Sequence, residues 1–325
     1  MGGLSALISA LWGCQAGVED TAARADSAAD SAADSAADSA ADSADTSDTS
    51  ESSDTALASW YVCPSVGDFD SVQAALDGTE GALDVLVCPS QFFENLVIVD
   101  RAVRIVSTAG GNTTWLDGQR NGPVITVVGA GALVLDGVSL MNGEGGAIVS
   151  DGDVSVDDGW FYDNAGPVIS AVTVTVTDTH FRDNADVAIA AESAQISGVN
   201  VQGRGFAVAD LYATTTLWEG TGDFTSGALT GENLTLVQLG SGRIADSGSI
   251  LNSIVSGPFL PSAPLLLWTD VDGSDQVLGA GSFAADPVFA ETETYSLSPM
   301  SPCIDAGSGV DADGSVRDLG WLPRG

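Results

Sequence analysis

Hydrophobic positions between residues 124 and 210 recur on parallel tracks. The apolar pairs Leu133/Leu135, Val154/Val156, Val174/Val176 and Ala194/Ile196 are separated by 21, 20 and 20 residues. Leu140, Phe161, Phe181 and Val201 repeat those spacings, and Ile148, Ile169 and Ile189 follow at 21 and 20. Asn142, Asn164 and Asn184 add a polar track at 22 and 20, each at a turn. A shared period near 20 marks a solenoid, in which each repeat buries its apolar face against the next.

The content of each repeat selects the kind of solenoid. Each holds three short alternating runs, such as Ala147-Ile148-Val149, Val154-Ser155-Val156 and Trp160-Phe161-Tyr162. Alternation is the strand period, and no helical 3.6-residue repeat occurs inside. The Leu-x-x-Leu-x-Leu core of leucine-rich repeats is absent. Three strands per turn with Asn and Gly corners describe a right-handed parallel β-helix, an all-β three-sheet solenoid over residues 58–325. Stacked Asn side chains can form a hydrogen-bonded ladder along its axis. Chain length and period predict about ten coils, each climbing about 4.8 Å. The pattern fades over 211–248, which reads as a loop or an irregular pair of coils.

Composition places the chain outside some functional classes. There are 45 acidic and nine basic residues, for a net charge of -36, and every basic residue is Arg. Nucleic acids and anionic membrane surfaces need clustered positive charge, so neither is expected as a partner. Residues 18–57 hold 11 acids and one Arg, a contribution of -10 that leaves -26 for the rest. There Asp26, Asp30, Asp34, Asp38 and Asp42 repeat every four residues. Like charges at that spacing destabilise a helix. Residues 14–57 are therefore expected to be an anchoring Cys followed by a disordered acidic Ala/Asp/Ser spacer.

Residues 4–12, LSALISALW, are too short to span a bilayer, which needs about 20 residues. A short apolar run before a small residue is the pattern of an export signal. Leu11-Trp12-Gly13-Cys14 resembles a bacterial lipoprotein box. The resemblance implies a signal peptide over 1–13, lipidation of Cys14, and residence at the outer membrane or cell surface. Contact with the membrane would then be through the lipid anchor only, and the alternative is a secreted protein.

The stretch from Asp70, DSVQAALDGTEGALDVLVCPSQFFENLVIVDRAVRIVS, resembles the opening of β-helix proteins of the pectin-lyase-like superfamily. In these an amphipathic cap helix precedes the first strands, and here Val72, Ala75 and Leu76 would face the first coil. The segments SILNSIVS at 249–256, TDVDG at 269–273, DPVF at 286–289, YSLSPMSPCIDAG at 295–307 and DADGSVRDLG at 311–320 resemble the C-terminal end of bacterial surface β-helix proteins. The resemblance covers most of residues 60–325. It implies a fold shared by lyases, hydrolases and adhesins, and no single activity.

Cys63 and Cys88 each begin a Cys-Pro-Ser, and in an oxidising compartment a disulfide between them is expected to tie the cap to the first coil. Such a loop stabilises by about 3 kcal/mol. Cys303 reads as a small buried hydrophobe. One His and scattered Cys do not give zinc spacing, and no cofactor is expected. Asp311 and Asp313 begin half of a calcium loop, but Leu322 occupies the position of its closing acid, so an acidic turn competes with a calcium site.

A candidate site follows from strand parity. With Phe161 and Phe181 pointing inward, Asp158, Trp160 and Tyr162 point outward, as do Asp178, His180 and Arg182 one coil along; Asn200 and Gln202 extend the patch. Aromatic rings beside planar polar groups suit a sugar-binding face. Asp158 and Asp178 could act as a catalytic carboxylate pair, and a lyase would have only Arg182 or Arg204 as its base. The paired Asp-Asp with a Gly-His of family enzymes is missing, since no Gly-His follows Asp157-Asp158. The expected role is therefore binding or structural, on a polysaccharide or cell-envelope partner, by a monomer. A polysaccharide lyase or glycoside hydrolase is the alternative.

Overall fold

The computed structural model describes residues 58–240, 242–256, 265–272, 279–291, 294–311 and 313–321. The expected signal peptide, Cys14 and acidic spacer lie outside the described residues. Among the described residues no helix is long and apolar enough to cross a membrane.

The described chain is an all-β parallel solenoid of about nine turns. Every strand ladder is parallel, and the ladders form three faces. The first face runs through Leu83–Val87, Ala102–Ser107, Ala132–Asp136, Asp153–Asp157 and Thr173–Thr177. The second runs through Trp115–Asp117, Ser139–Met141, Trp160–Tyr162, His180–Arg182 and Asn200–Gln202. The third runs through Leu96–Val99, Ile125–Val128, Ile148–Ser150 and Ile169–Ser170. The apolar tracks are the inward ladders: Val154 pairs with Leu133 and Val174, Phe161 with Leu140 and Phe181, Ile169 with Ile148 and Ile189. All of these are buried. Phe161 and Phe181 stack at 4.9 Å, their planes 9° apart. Each such side chain contributes about 1.5–3 kcal/mol by burial.

The Asn ladder is shorter than its spacing suggested. Asn164 Nδ2 donates to Asn184 Oδ1 at 3.0 Å, and Gly143 N donates to Asn164 Oδ1 at 2.8 Å. Asn142 instead turns back to donate to Asp117 Oδ1 at 3.0 Å. The 22-residue step had already placed it one position out of register, where Gly143 now stands.

One short helix, α1 (Val72–Asp77), caps the N-terminal end and buries Val72, Ala75 and Leu76 as expected. Six residues do not make a stable helix alone, so the first coil adds to the local caps at Ser71 and Gly78. The Glu94 carboxylate accepts from the amides of Val72 and Gln73, while Arg101 donates to the carbonyls of Leu76 and Thr79. Opposite charges thus meet the two ends of the helix dipole. Cys63 and Cys88 form the expected disulfide, with Cα atoms 5.3 Å apart.

Residues 211–240 and 242–248 continue the solenoid. Two long strands run across faces: Phe206–Gly220 passes from the third face through the first to the second, and Ala228–Gln238 from the first to the second, bending at Thr215 and Asn233. Val201 pairs with Trp218 and Leu211 with Leu229, steps of 17 and 18 residues. The shorter coils broke the 20-residue track and hid the repeat.

The chain then leaves the helix. From Phe283 it folds back along the outside of the second face, which is why the coils are fewer than length alone suggested. Trp321 N donates to Thr235 Oγ1 at 3.0 Å, Ser308 N to Asn252 Oδ1 at 2.6 Å, and Arg317 pairs with Glu232 at 2.7 Å. Ile254, Cys303 and Leu319 form a second buried cluster with Phe283, Phe289 and Leu297 against it. Cys303 is fully buried as expected, and its thiol donates to the buried Asp270 carboxylate at 3.1 Å.

Candidate functional site

The strand register brings the outward side chains of the second face into columns. Trp160 pairs with His180, and His180 with Asn200. Tyr162 pairs with Arg182, and Gln202 continues that column. Their rings do not merely lie near each other. Trp160 and His180 stack at 4.1 Å with 20° between planes. Half-burial holds the His180 pKa below its ordinary value, against the opposing pull of Asp158 and Asp178. The imidazole is therefore neutral at neutral pH, with one donor and one acceptor nitrogen.

Asp158 and Asp178 are not on the strand. Both occupy the left-handed bend that carries the chain from the first face to the second, with φ of 48° and 45°. Asp tolerates that conformation better than most residues. The strand begins only at Trp160, so parity counted back past its first residue loses meaning. Both carboxylates are solvent-exposed, and each has a local structural contact. Asp158 Oδ2 accepts from Gly111 N at 3.2 Å, where the 108–114 loop crosses the bend. Asp178 lies against Gly198, leaving no room there for a side chain. Their neighbour Asp157 has its pKa raised by burial and then by Asp136, Asp178 and Asp158.

Arg182 and Tyr162 are exposed, and the Arg182 Nε lies 3.4 Å from Asp183. Arg204 pairs with Asp186 at 3.0 Å and does not join the patch. Asn200 Oδ1 is buried without a hydrogen-bond partner. These rungs form one side of a groove of about 320 Å³, lined by Trp160, His180, Arg182, Asn200, Gln202 and Thr294. Thr294 belongs to the returning C-terminal segment. The next residue, Tyr295, hydrogen-bonds Glu219, and burial together with that carboxylate pushes its pKa up to about 12. The returning segment thus ends the open stretch of the second face. Sequence reading missed Thr294, Glu219 and Tyr295, because nothing local in the sequence marks a segment that docks from a distance.

Asp311 and Asp313 lie in a tight turn closed by Val310 and Val316. Asp311 faces Arg317 Nε at 3.6 Å and accepts from Asp318 N, while Asp313 is held below the ordinary carboxylate range by hydrogen bonds from Ser315. Among the described residues no group of three or more His, Cys, Asp or Glu is placed to hold a metal.

No protein-family model matches this sequence, and comparison with curated proteins finds none similar to it. A stacked indole and imidazole offer apolar ring edges and faces. A guanidinium, two amides and a hydroxyl supply donors and acceptors around them.

Proposed function

We propose that this chain is an exported β-helix protein, lipid-anchored through Cys14, that contacts a glycan through the Trp160/His180 groove. The observation that supports it is the pairing of a stacked aromatic pair with unengaged amides in one concave strip. Among the described residues, the Asn200 and Gln202 side chains make no hydrogen bond. Sugar rings present C–H faces to aromatics and hydroxyls to amides, so both kinds of group would be used at once. The strongly acidic composition disfavours polyanionic glycans and favours neutral ones. An envelope polysaccharide or matrix glycan is the partner class, bound by a monomer without cofactor. The pectin-lyase-like resemblance supports the envelope setting and leaves the activity open.

Cleavage is the second reading, and one observation favours it. Asp158 and Asp178 occupy the same bend in successive coils, and both act electrostatically on His180. Against it, a carboxylate acid and base need contrasting environments. These two share one, exposed and one rung apart.

The test uses the purified full chain against soluble neutral and acidic polysaccharides, scoring binding, new reducing ends and unsaturated products. Binding that falls about tenfold in Trp160→Ala, a loss of about 1.4 kcal/mol, supports the reading. Product release that disappears in Asp158→Ala and Asp178→Ala would replace it with an enzyme. Binding equal in wild type and Trp160→Ala for every glycan would remove the groove from the account.

A further inference from the structure

A second groove lies on the first face, where sequence reading placed nothing. Between the Thr173–Thr177 strand and the Ala228–Gln238 strand, a concavity of about 320 Å³ is centred on Tyr212. Register builds it from two columns. Thr175, Gln195, Tyr212 and Thr230 stack in one, and Thr173, Ser193, Asp210 and Ala228 in the other. Ser193 and Ala228 are small, and they leave the space beside the tyrosine ring.

Tyr212 is one of several exposed aromatics, with Tyr61, Phe93, Tyr162 and Trp268. It is 45% exposed, an aromatic on the outward side of a strand whose core positions are filled by Leu211 and Ala213. It does not join the buried core cluster. Nor does its hydroxyl, the Gln195 amide or the Thr175 and Thr230 hydroxyls hydrogen-bond within the described residues. The buried threonines Thr179, Thr216 and Thr269, by contrast, each donate to a backbone carbonyl two residues back. The face therefore presents one ring and a row of unspent donors and acceptors, repeating along the axis at about 4.8 Å. Asp210 is the only carboxylate lining it, and no cation does.

We infer that this face binds an uncharged oligosaccharide lying along the helix axis, with one sugar stacked on Tyr212 and its neighbours hydrogen-bonded to Gln195, Thr175 and Thr230. The rung spacing is close to that of successive residues in an extended β-linked chain, so one sugar meets each coil. The lone carboxylate and the acidic surroundings exclude polyuronides. The site is on a different face from the Trp160/His180 groove and stands independently of it.

The experiment is affinity electrophoresis of the full chain through gels containing soluble β-glucan, xylan, galactomannan or polygalacturonate. Tyr212→Thr, which matches its column neighbours, and Gln195→Ala are compared with Trp160→Ala, with thermal melts as the folding control. The expected result is retardation by at least one neutral polymer, weakened about tenfold by Tyr212→Thr and less by Gln195→Ala, and still present in Trp160→Ala. No retardation by any neutral polymer overturns the inference. So does retardation unchanged in Tyr212→Thr, and if that retardation disappears in Trp160→Ala, the second-face reading survives alone. Salt-sensitive binding of polygalacturonate at Tyr212 overturns the ligand class. Loss in Tyr212→Thr with none in Trp160→Ala keeps this site and removes the other.

Discussion

The second face is one continuous ladder with two different fates. In its middle rungs the outward positions are Trp160, His180 and Asn200, open to solvent along one groove. In the next rungs the same column becomes Leu217, Thr235, Ile254 and Asp270, all buried, the last three against the returning C-terminal segment. The backbone ladder is parallel throughout. What changes is the outward side chain. Apolar Leu217 and Ile254 need a cover, while half-buried polar and aromatic groups can stay at a water boundary. A solenoid face is thus partitioned by a few outward residues, and the groove is the boundary between the two halves.

The largest way to disturb this partition is to empty the cover. Ile254→Ala should cost about 2–5 kcal/mol in chemical denaturation. It should also expose residues 283–321 to protease while leaving the middle rungs intact. Equal protection of that segment in the variant would show that the polar contacts, not the Ile254 cluster, hold it.

Replacing Cys63 and Cys88 together by Ser should cost about 3 kcal/mol, yet act at the opposite end of the solenoid. Protease cleavage should then begin near α1 and not in the returning segment. Early cleavage of 283–321 would mean the two ends unfold as one unit.

Tyr295→Phe removes the hydrogen bond to Glu219 at the lip of the groove and should cost about 1 kcal/mol. Faster amide hydrogen exchange confined to the strands around Glu219 and to Ser296–Leu297 is the expected signature. An unchanged exchange pattern would place the anchor elsewhere along the segment.

The smallest effects are electrostatic, and their signs differ. Asp157 has a raised pKa, so its ionised form is disfavoured in the fold; stability is lost as pH rises through the window above the ordinary value near 3.8. Asp157→Asn should raise the melting temperature by no more than a few degrees at neutral pH, and the gain should fade in acid below that window. His180 has a lowered pKa, so the fold favours its neutral form. Stability from that group falls as pH drops below about 6.5, and His180→Gln should flatten the melting curve across that range. Melts of both variants between acid and neutral pH test the two signs together.

Much of this was legible in the residues. The inward tracks, the cap helix with Val72, Ala75 and Leu76 facing the core, and the Cys63–Cys88 bridge all have local or periodic signals. Trp160 and His180 were placed side by side by the 20-residue step alone. Asp158 and Asp178 face solvent as expected, but from a left-handed bend and not from the strand, because alternation holds only within a strand. Asn142 slipped by one residue for a related reason, an insertion in its turn. The coils over 211–248 stayed hidden because pairing persisted while its period shortened from 20 to 17 and 18.

What the sequence by itself determined is the solenoid and the side each residue takes, because side-chain direction in a strand has a period of two and stacking repeats it coil after coil. What only the tertiary structure decided is which outward rungs remain open. That depends on contacts such as Arg317 with Glu232 and Trp321 with Thr235, made across 85 and 86 residues of chain. No periodicity encodes a pairing between a repeat and a segment outside the repeat. The groove at Thr294 lies where the returning segment meets the second face.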